Sequence, residues 1–233
     1  MKTVISTKVG MPLVLTVICV LILPLPAVAQ DEAKPQKVAL KGEFVRVGYN
    51  DEGWVVVGYR AANESVGKEW MLLDVGITLV KGDKHQQVTR DEVSLIAPDG
   101  SVIPLASQQE YQAAAGSLTA LEEAANMVGD SINYFPRGTD EACRIGFFSS
   151  ISQPDRGAVY DFVEVSRARG CVGRLYFRVP GGIQYGDYFL NVQFDGSVVR
   201  TPLLIMTKQE LKEIKKEVKK LEKEAKQKAK EGG

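Results

Sequence analysis

Histidine is almost missing from this chain. Of 233 residues only His85 carries an imidazole, which removes most histidine-based acid–base catalysis and most histidine metal sites. His85 sits in Lys81-Gly82-Asp83-Lys84-His85, a charged stretch between two strand-like runs, so it reads as an exposed turn residue. An excess of one charge is missing too. Lys plus Arg and Asp plus Glu each total 29, which argues against a generally basic nucleic-acid binder. No H-E-x-x-H, calcium-loop, phosphate-loop or nucleophile-elbow sequence occurs. The composition, 45% hydrophobic and 25% charged, excludes a disordered chain and a polytopic membrane protein. It supplies ample apolar material for a core.

What is present begins with a targeting pattern. Lys2 and Lys8 are the only charges ahead of the apolar stretch Leu13 to Leu25, which leads into Pro26-Ala27-Val28-Ala29. A positive start, an apolar middle and a small-x-small end predict a secretory signal peptide over residues 1–29. The competing reading is an uncleaved anchor, but Pro24 and Pro26 interrupt the end of the run. Either reading exports the remainder, to the periplasm or the outside of a bacterial cell. No stable membrane span is expected after cleavage. The remaining chain holds 27 basic and 29 acidic groups, a formal charge of −2.

Export decides how the cysteines are read. Cys143 and Cys171 are the two that follow the signal segment, and an even pair in an oxidising compartment predicts a disulfide. The loop it would close, about 29 residues long, is worth roughly 3–4 kcal/mol in the chain-entropy treatment. A redox pair would need closer spacing, and a metal site more ligands nearby.

Residues 30–42 are largely polar and read as a flexible leader. From Glu43 onward, short β-branched and aromatic runs alternate with turn residues. Strands are predicted at Phe44 to Tyr49, Trp54 to Ala61, Met71 to Val80, Gln86 to Thr89, Val93 to Ile96 and Val102 to Leu105. A second group comprises Arg144 to Phe148, Val159 to Val165, Arg174 to Val179, Tyr188 to Phe194 and Val198 to Ile205. Leu73, Val75, Ile77 and Leu79 alternate with Asp74, Gly76 and Thr78, the two-residue period of a half-buried strand. Pro98-Asp99-Gly100 marks a tight turn, and Asp195-Gly196 marks a hairpin. Strands without regularly alternating helices imply a mainly β, antiparallel sandwich or barrel over residues 43–206.

Two segments break the pattern. Residues 107–127 place Tyr111, Ala114, Leu118, Leu121 and Ala125 at helical spacing, so a helix is inserted between strands, with Gly116 its weak point. Such an insertion covers a sheet or builds a site, and covering is the simpler role. The tail, residues 207–233, opens with the capping-box sequence Thr207-Lys208-Gln209-Glu210. Leu211, Ile214, Val218 and Leu221 then form one narrow apolar stripe. Ten Lys against six Glu give this tail a charge of +4, opposite to the −6 of residues 30–206. The stripe predicts a protein partner or self-association through a short coiled coil; packing back on the acidic body and lying on an anionic surface are the other readings, and a solvated, partly frayed extension is the default against all three.

Candidate ligand residues follow the insertion. Ile132 to Gly138 combines Tyr134 and Phe135 with Arg137 on an expected loop, a mixture suited to a small polar or glycan ligand. The favoured reading is plainer: Tyr134 and Phe135 plug the end of the sandwich and Arg137 faces water. Of Phe147–Phe148 and Tyr188–Phe189, one member of each pair is expected to face the core. The carboxylate pairs Glu122–Glu123 and Asp140–Glu141 carry no mark of catalysis. No metal, cofactor or nucleic acid is expected. An enzyme is not expected either, with an undetected hydrolase as the third alternative.

The run Gly186-Asp187-Tyr188-Phe189-Leu190-Asn191-Val192-Gln193-Phe194 resembles the G-x-Y-x-L-x-V strand near the end of bacterial extracytoplasmic immunoglobulin-like domains. Trp54-Val55-Val56-Val57 and the Pro98-Asp99-Gly100 turn fit the same resemblance. It spans roughly Glu43 to Met206 and implies an immunoglobulin-like β-sandwich; the inserted helix and the C-terminal amphipathic helix depart from it. That fold serves adhesion, ligand binding and assembly alike, so the resemblance carries over no functional residue.

Overall fold

The computed structural model describes residues 36–82, 84–151, 158–214 and 216. The expected signal peptide, residues 30–35 of the leader, and Val218 and Leu221 of the tail lie outside these residues. The described chain is mainly β. Its strands are β1 (Lys37–Leu40), β2 (Val45–Tyr49), β3 (Gly53–Gly58), β4 (Trp70–Leu79), β5 (Gln86–Thr89), β6 (Val93–Ile96), β7 (Val102–Pro104), β8 (Glu141–Arg144), β9 (Phe162–Val165), β10 (Arg169–Arg178), β11 (Gly186–Gln193) and β12 (Val198–Ile205). Three α-helices interrupt them: α1 (Arg60–Glu64), α2 (Gln108–Ala113) and α3 (Ala115–Val128). A 3-10 turn, Arg90–Glu92, joins β5 to β6. Residues 208–214 of the tail are helical.

Six strands form one sheet in the order β1-β2-β3-β4-β10-β8, four form a second, β12-β11-β6-β7, and β5 pairs with β9. All pairings are antiparallel except β8 with β10. The larger sheets share one core. Met71, Leu73, Val75 and Ile77 of β4, Leu175 and Phe177 of β10, Leu95 of β6 and Tyr188, Leu190 and Val192 of β11 are all buried in it. This is the two-residue period at work: alternate side chains of a strand reach one face.

Turn chemistry fixes the hairpins. The Asp195-Gly196 signal is a two-residue loop, with the Phe194 amide donating to the Ser197 carbonyl at 2.7 Å. The Asn50 side chain accepts from the amides of Glu52 and Gly53, which closes β2 on β3. These two hairpins meet. Glu52 accepts from the Gly196 amide at 2.9 Å and from the Ser197 hydroxyl. Gly53 leaves space for the buried Phe194 ring, whose nearest atom would lie 2.2 Å from an added Cβ.

Several expectations change. Lys37–Leu40, inside the stretch read as leader, is an edge strand on β2; Val38 and Leu40 stay largely exposed, so no burial signal marks it. The run Trp54 to Ala61 stops being strand at Gly58 and turns into α1. The strand expected at Arg144 to Phe148 lies earlier, at Glu141–Arg144. Phe147 and Phe148 are both buried, not one of the two. A strand sends neighbours to opposite faces, and here the chain leaves the sheet so that both rings find cover. Tyr188 and Phe189 do divide as expected, Tyr188 being buried and Phe189 partly exposed. β4 is covered on both faces, with Leu72 and Thr78 as buried as Leu73. The second cover comes from α1 and α3, from Phe135 over Gly76, and from Ser166, whose carbonyl accepts the Thr78 hydroxyl at 2.8 Å.

Candidate binding pocket

The insertion begins with the capping box of Ser107 and Glu110. The Glu110 amide donates to the Ser107 hydroxyl at 3.1 Å and the Ser107 amide to the Glu110 carboxylate at 2.9 Å. Breaking occurs at Ala114 rather than at Gly116, so one expected helix becomes two. The buried residues are those of the helical stripe, Tyr111, Leu118, Leu121 and Ala125. Beyond α3, Ile132, Tyr134 and Phe135 cover Val45, Val47 and Val56 on the outer face of the six-stranded sheet. Phe135 lies over Gly76 of β4 and Gly170 of β10, where an added Cβ would approach its ring to 2.8 and 3.0 Å. Glycine at these two positions is what lets the aromatic ring lie on the sheet.

Between the helices and β10 lies a polar cluster. Tyr176 sits on β10 and donates its hydroxyl to Glu122 of α3. The Tyr111 hydroxyl lies 3.1 Å from the same carboxylate oxygen and 2.9 Å from the Ser149 carbonyl. Arg174 donates from Nε to Asp74 at 3.2 Å and from Nη2 to Asn126 at 2.7 Å. Gln108 donates to the Ser149 hydroxyl at 2.8 Å. The rings of Tyr111, Phe148 and Tyr176 meet with centroids 4.8 to 5.0 Å apart, so an aromatic triangle supports the carboxylate from below.

This environment sets the proton chemistry. Burial first, then the adjacent Glu122 carboxylate, push the Tyr111 and Tyr176 hydroxyls far above the ordinary phenol range. Burial also raises Tyr59 and Tyr188. Burial raises Asp74 as well, with Arg174 opposing. A phenol whose folded value exceeds its unfolded one stabilises the fold fully below about pH 10 and progressively less above it, because the unfolded chain ionises first. The absorbance of tyrosinate is therefore expected to show a late component that rises together with loss of the circular dichroism signal. A single reversible titration near pH 10, complete before the structure is lost, would contradict it.

The cluster opens into a pocket of about 380 Å³. Its floor is Val172, Gly173, Arg174 and Tyr176 of β10; Tyr111 and Glu122 form the helical wall, and Arg144, Ile145, Phe148, Ser149 and Ser150 the opposite one. The sheet order places β4 on one side of β10 and β8 on the other. Arg144 ends β8, and its register partner on β10 is Val172. A second hollow of about 320 Å³ lies beyond Val172, between Phe135, Thr139, Asp140 and Gly170.

No family model, curated protein or solved structure matches this chain.

The residues singled out in the sequence are dispersed. Cys143 and Cys171 form the expected disulfide, across the β8–β10 register. Tyr134 and Phe135 are packed on the sheet, and the Trp54 indole donates to the Tyr134 carbonyl at 2.8 Å. Phe135 borders the second hollow, while Arg137 is exposed and lines neither pocket. Tyr134 and Phe135 thus pack on the sheet, while Asn133, Phe135 and Pro136 of the same loop line the second hollow. His85 is exposed and pairs with Glu164 at 2.9 Å. Among the described residues no group of His, Cys, Asp and Glu could hold a metal ion, and no helix is long and apolar enough to cross a membrane. In the tail, the Thr207 capping box forms, Leu211 packs against the core and Ile214 stays exposed. The pocket residues missed in the sequence are Tyr111, Glu122, Arg144, Arg174 and Tyr176. They come from α2, α3, β8 and β10, and no local motif joins them.

Proposed function

We propose that this chain is an exported, non-catalytic binding module of the bacterial envelope: an immunoglobulin-like β-sandwich that receives a small polar ligand under its helical insertion. One observation carries the reading. Glu122, held by the Tyr176 hydroxyl with Tyr111 beside it, lines a pocket of mixed polar and apolar character whose floor is strand β10. Sites held on strands and helices keep their geometry better than sites on loops. The reading does not call on proton transfer, since both phenols are held neutral and Asp74 is engaged by Arg174.

The test is nuclear magnetic resonance of tyrosine-labelled protein, titrated with separate panels of sugars, amino acids, nucleosides and polyamines. At least one panel is expected to move the Tyr111 and Tyr176 signals, and Glu122→Leu to abolish that response. If every panel leaves both signals in place, the pocket is structural only.

The tail supports a second role. Leu211 roots the helix in the body while Ile214 remains 39% exposed, so the apolar stripe leaves the domain uncovered at its second turn. In this reading the stripe engages a partner protein or a second copy. Ile214→Asp is expected to abolish association in sedimentation experiments and to leave the unfolding transition within about 0.5 kcal/mol of its original value, as a surface change does. Unchanged association would remove the stripe from the interface.

A further inference from the structure

We infer that the pocket recognises a small zwitterion, an α-amino acid or dipeptide with an apolar side chain. The inference rests on the reading of the pocket as a ligand site and adds the chemistry of its occupant.

The charges lining the pocket are separated. Glu122 accepts the Tyr176 hydroxyl on Oε1, with the Tyr111 hydroxyl shared between that oxygen and the Ser149 carbonyl, and among the described residues its Oε2 accepts no hydrogen bond. Arg144, on the opposite wall, makes no ion pair or hydrogen bond through its guanidinium among the described residues, although it lines this pocket and the adjoining hollow beside Tyr160. Arg174 is already matched by Asp74 at 3.2 Å. What remains is one open carboxylate and one open guanidinium, a pair with no net charge.

Their spacing keeps them from satisfying each other. Glu122 is tied to Tyr176, whereas Arg144 is level with Val172 on the next strand. Four residues of strand separate those levels, about 13 Å at the usual rise. Long side chains close part of that distance and leave room for a ligand that hydrogen-bonds at both ends. An ammonium suits Glu122, and a carboxylate suits the planar fork of Arg144. Ile145 and Phe148 border the pocket but are covered by the core, so half-buried Val172 is the apolar surface on which a ligand side chain can rest. A simple amine would leave the guanidinium unmatched, and a simple acid would meet the Glu122 carboxylate. A sugar would leave Val172 uncovered.

The experiment uses the oxidised chain beginning at Gln30, with leucine, leucine amide, N-acetylleucine and alanyl-leucine as probes, by calorimetry and by the tyrosine signals. Leucine or alanyl-leucine is expected to bind, and blocking either charge to weaken binding at least tenfold. Arg144→Met, which keeps the side-chain stem, should abolish the distinction between leucine and its amide. Glu122→Gln, which keeps an acceptor for the Tyr176 hydroxyl, should abolish the distinction between leucine and N-acetylleucine. Equal affinity for all four probes would overturn the zwitterion and leave the pocket standing as a ligand site. Binding of none, with the Tyr111 and Tyr176 signals still at about 10 mM probe, a level well above a millimolar Kd, overturns the zwitterion as well. The wider pocket reading falls with it only if the sugar, nucleoside and polyamine panels also fail.

Discussion

Serine at both Cys143 and Cys171 is expected to lower the unfolding free energy by about 3–4 kcal/mol and to free one wall of the pocket. The two cysteines are register partners on β10 and β8, 28 residues apart in sequence. β8 has four residues, of which only Cys143 is partly buried, and β10 is its one neighbour in the sheet. Ordering each residue costs about 1–2 kcal/mol of backbone entropy, and a short edge strand with exposed side chains has little burial to offset it. The disulfide makes up that deficit by limiting the freedom of the unfolded loop. Urea titration of the double-serine protein tests the magnitude. Amide exchange tests the location: β8 should exchange quickly while β4 and the centre of β10 remain protected. A stability change below about 1 kcal/mol, with β8 still protected, would assign the strand's order to its hydrogen bonds alone.

Arg90→Ala is expected to cost about 3 kcal/mol, more than a surface charge can. The Arg90 guanidinium donates to the carbonyls of Phe147 and Ala106 and lies 4.7 Å from the centroid of the Phe148 ring. It thereby fastens the start of the insertion and the Phe147–Phe148 turn to the end of β5. Burial depresses its pKa, with Asp161 and Asp91 acting in the other direction, yet an arginine stays charged throughout the useful pH range. Truncation leaves two part-buried carbonyls without a donor and removes a cation from an aromatic face; each charged hydrogen bond is worth about 1.5–3 kcal/mol. Arg90→Lys should recover less than half of the loss, because one ammonium cannot reproduce the fork. Full recovery by lysine would show that charge alone, rather than two-directional donation, holds these segments together.

The strands of this chain were legible because burial leaves a period. β5, β6 and β12 lie where alternation and turn residues place them, and the Asp195-Gly196 hairpin follows from two residues. The disulfide was legible from compartment and parity. β1 was not, since an edge strand can be polar and exposed and still be paired. Nor was the pocket. Glu122 looked like one of several surface carboxylates, and its role depends on Tyr111 eleven residues before it and Tyr176 fifty-four after. The aromatic run at Tyr134 and Phe135 drew attention by composition, but its partners are two glycines on separate strands. Pairings of that kind are visible only when strands are assembled.

The join between β4 and β10 has a further consequence, in the order of events during folding. Trp70 lies opposite Arg178 and Ile77 opposite Cys171, so this ladder of the larger sheet unites segments about a hundred residues apart. The β2–β3 and β11–β12 hairpins are local and can zip early, but closure of that ladder waits for the whole stretch between. Non-local pairing of this type is slow. Cys143 and Cys171 both precede Arg178 in the chain, so a chain whose disulfide forms first carries β10 into the ladder with β8 already attached.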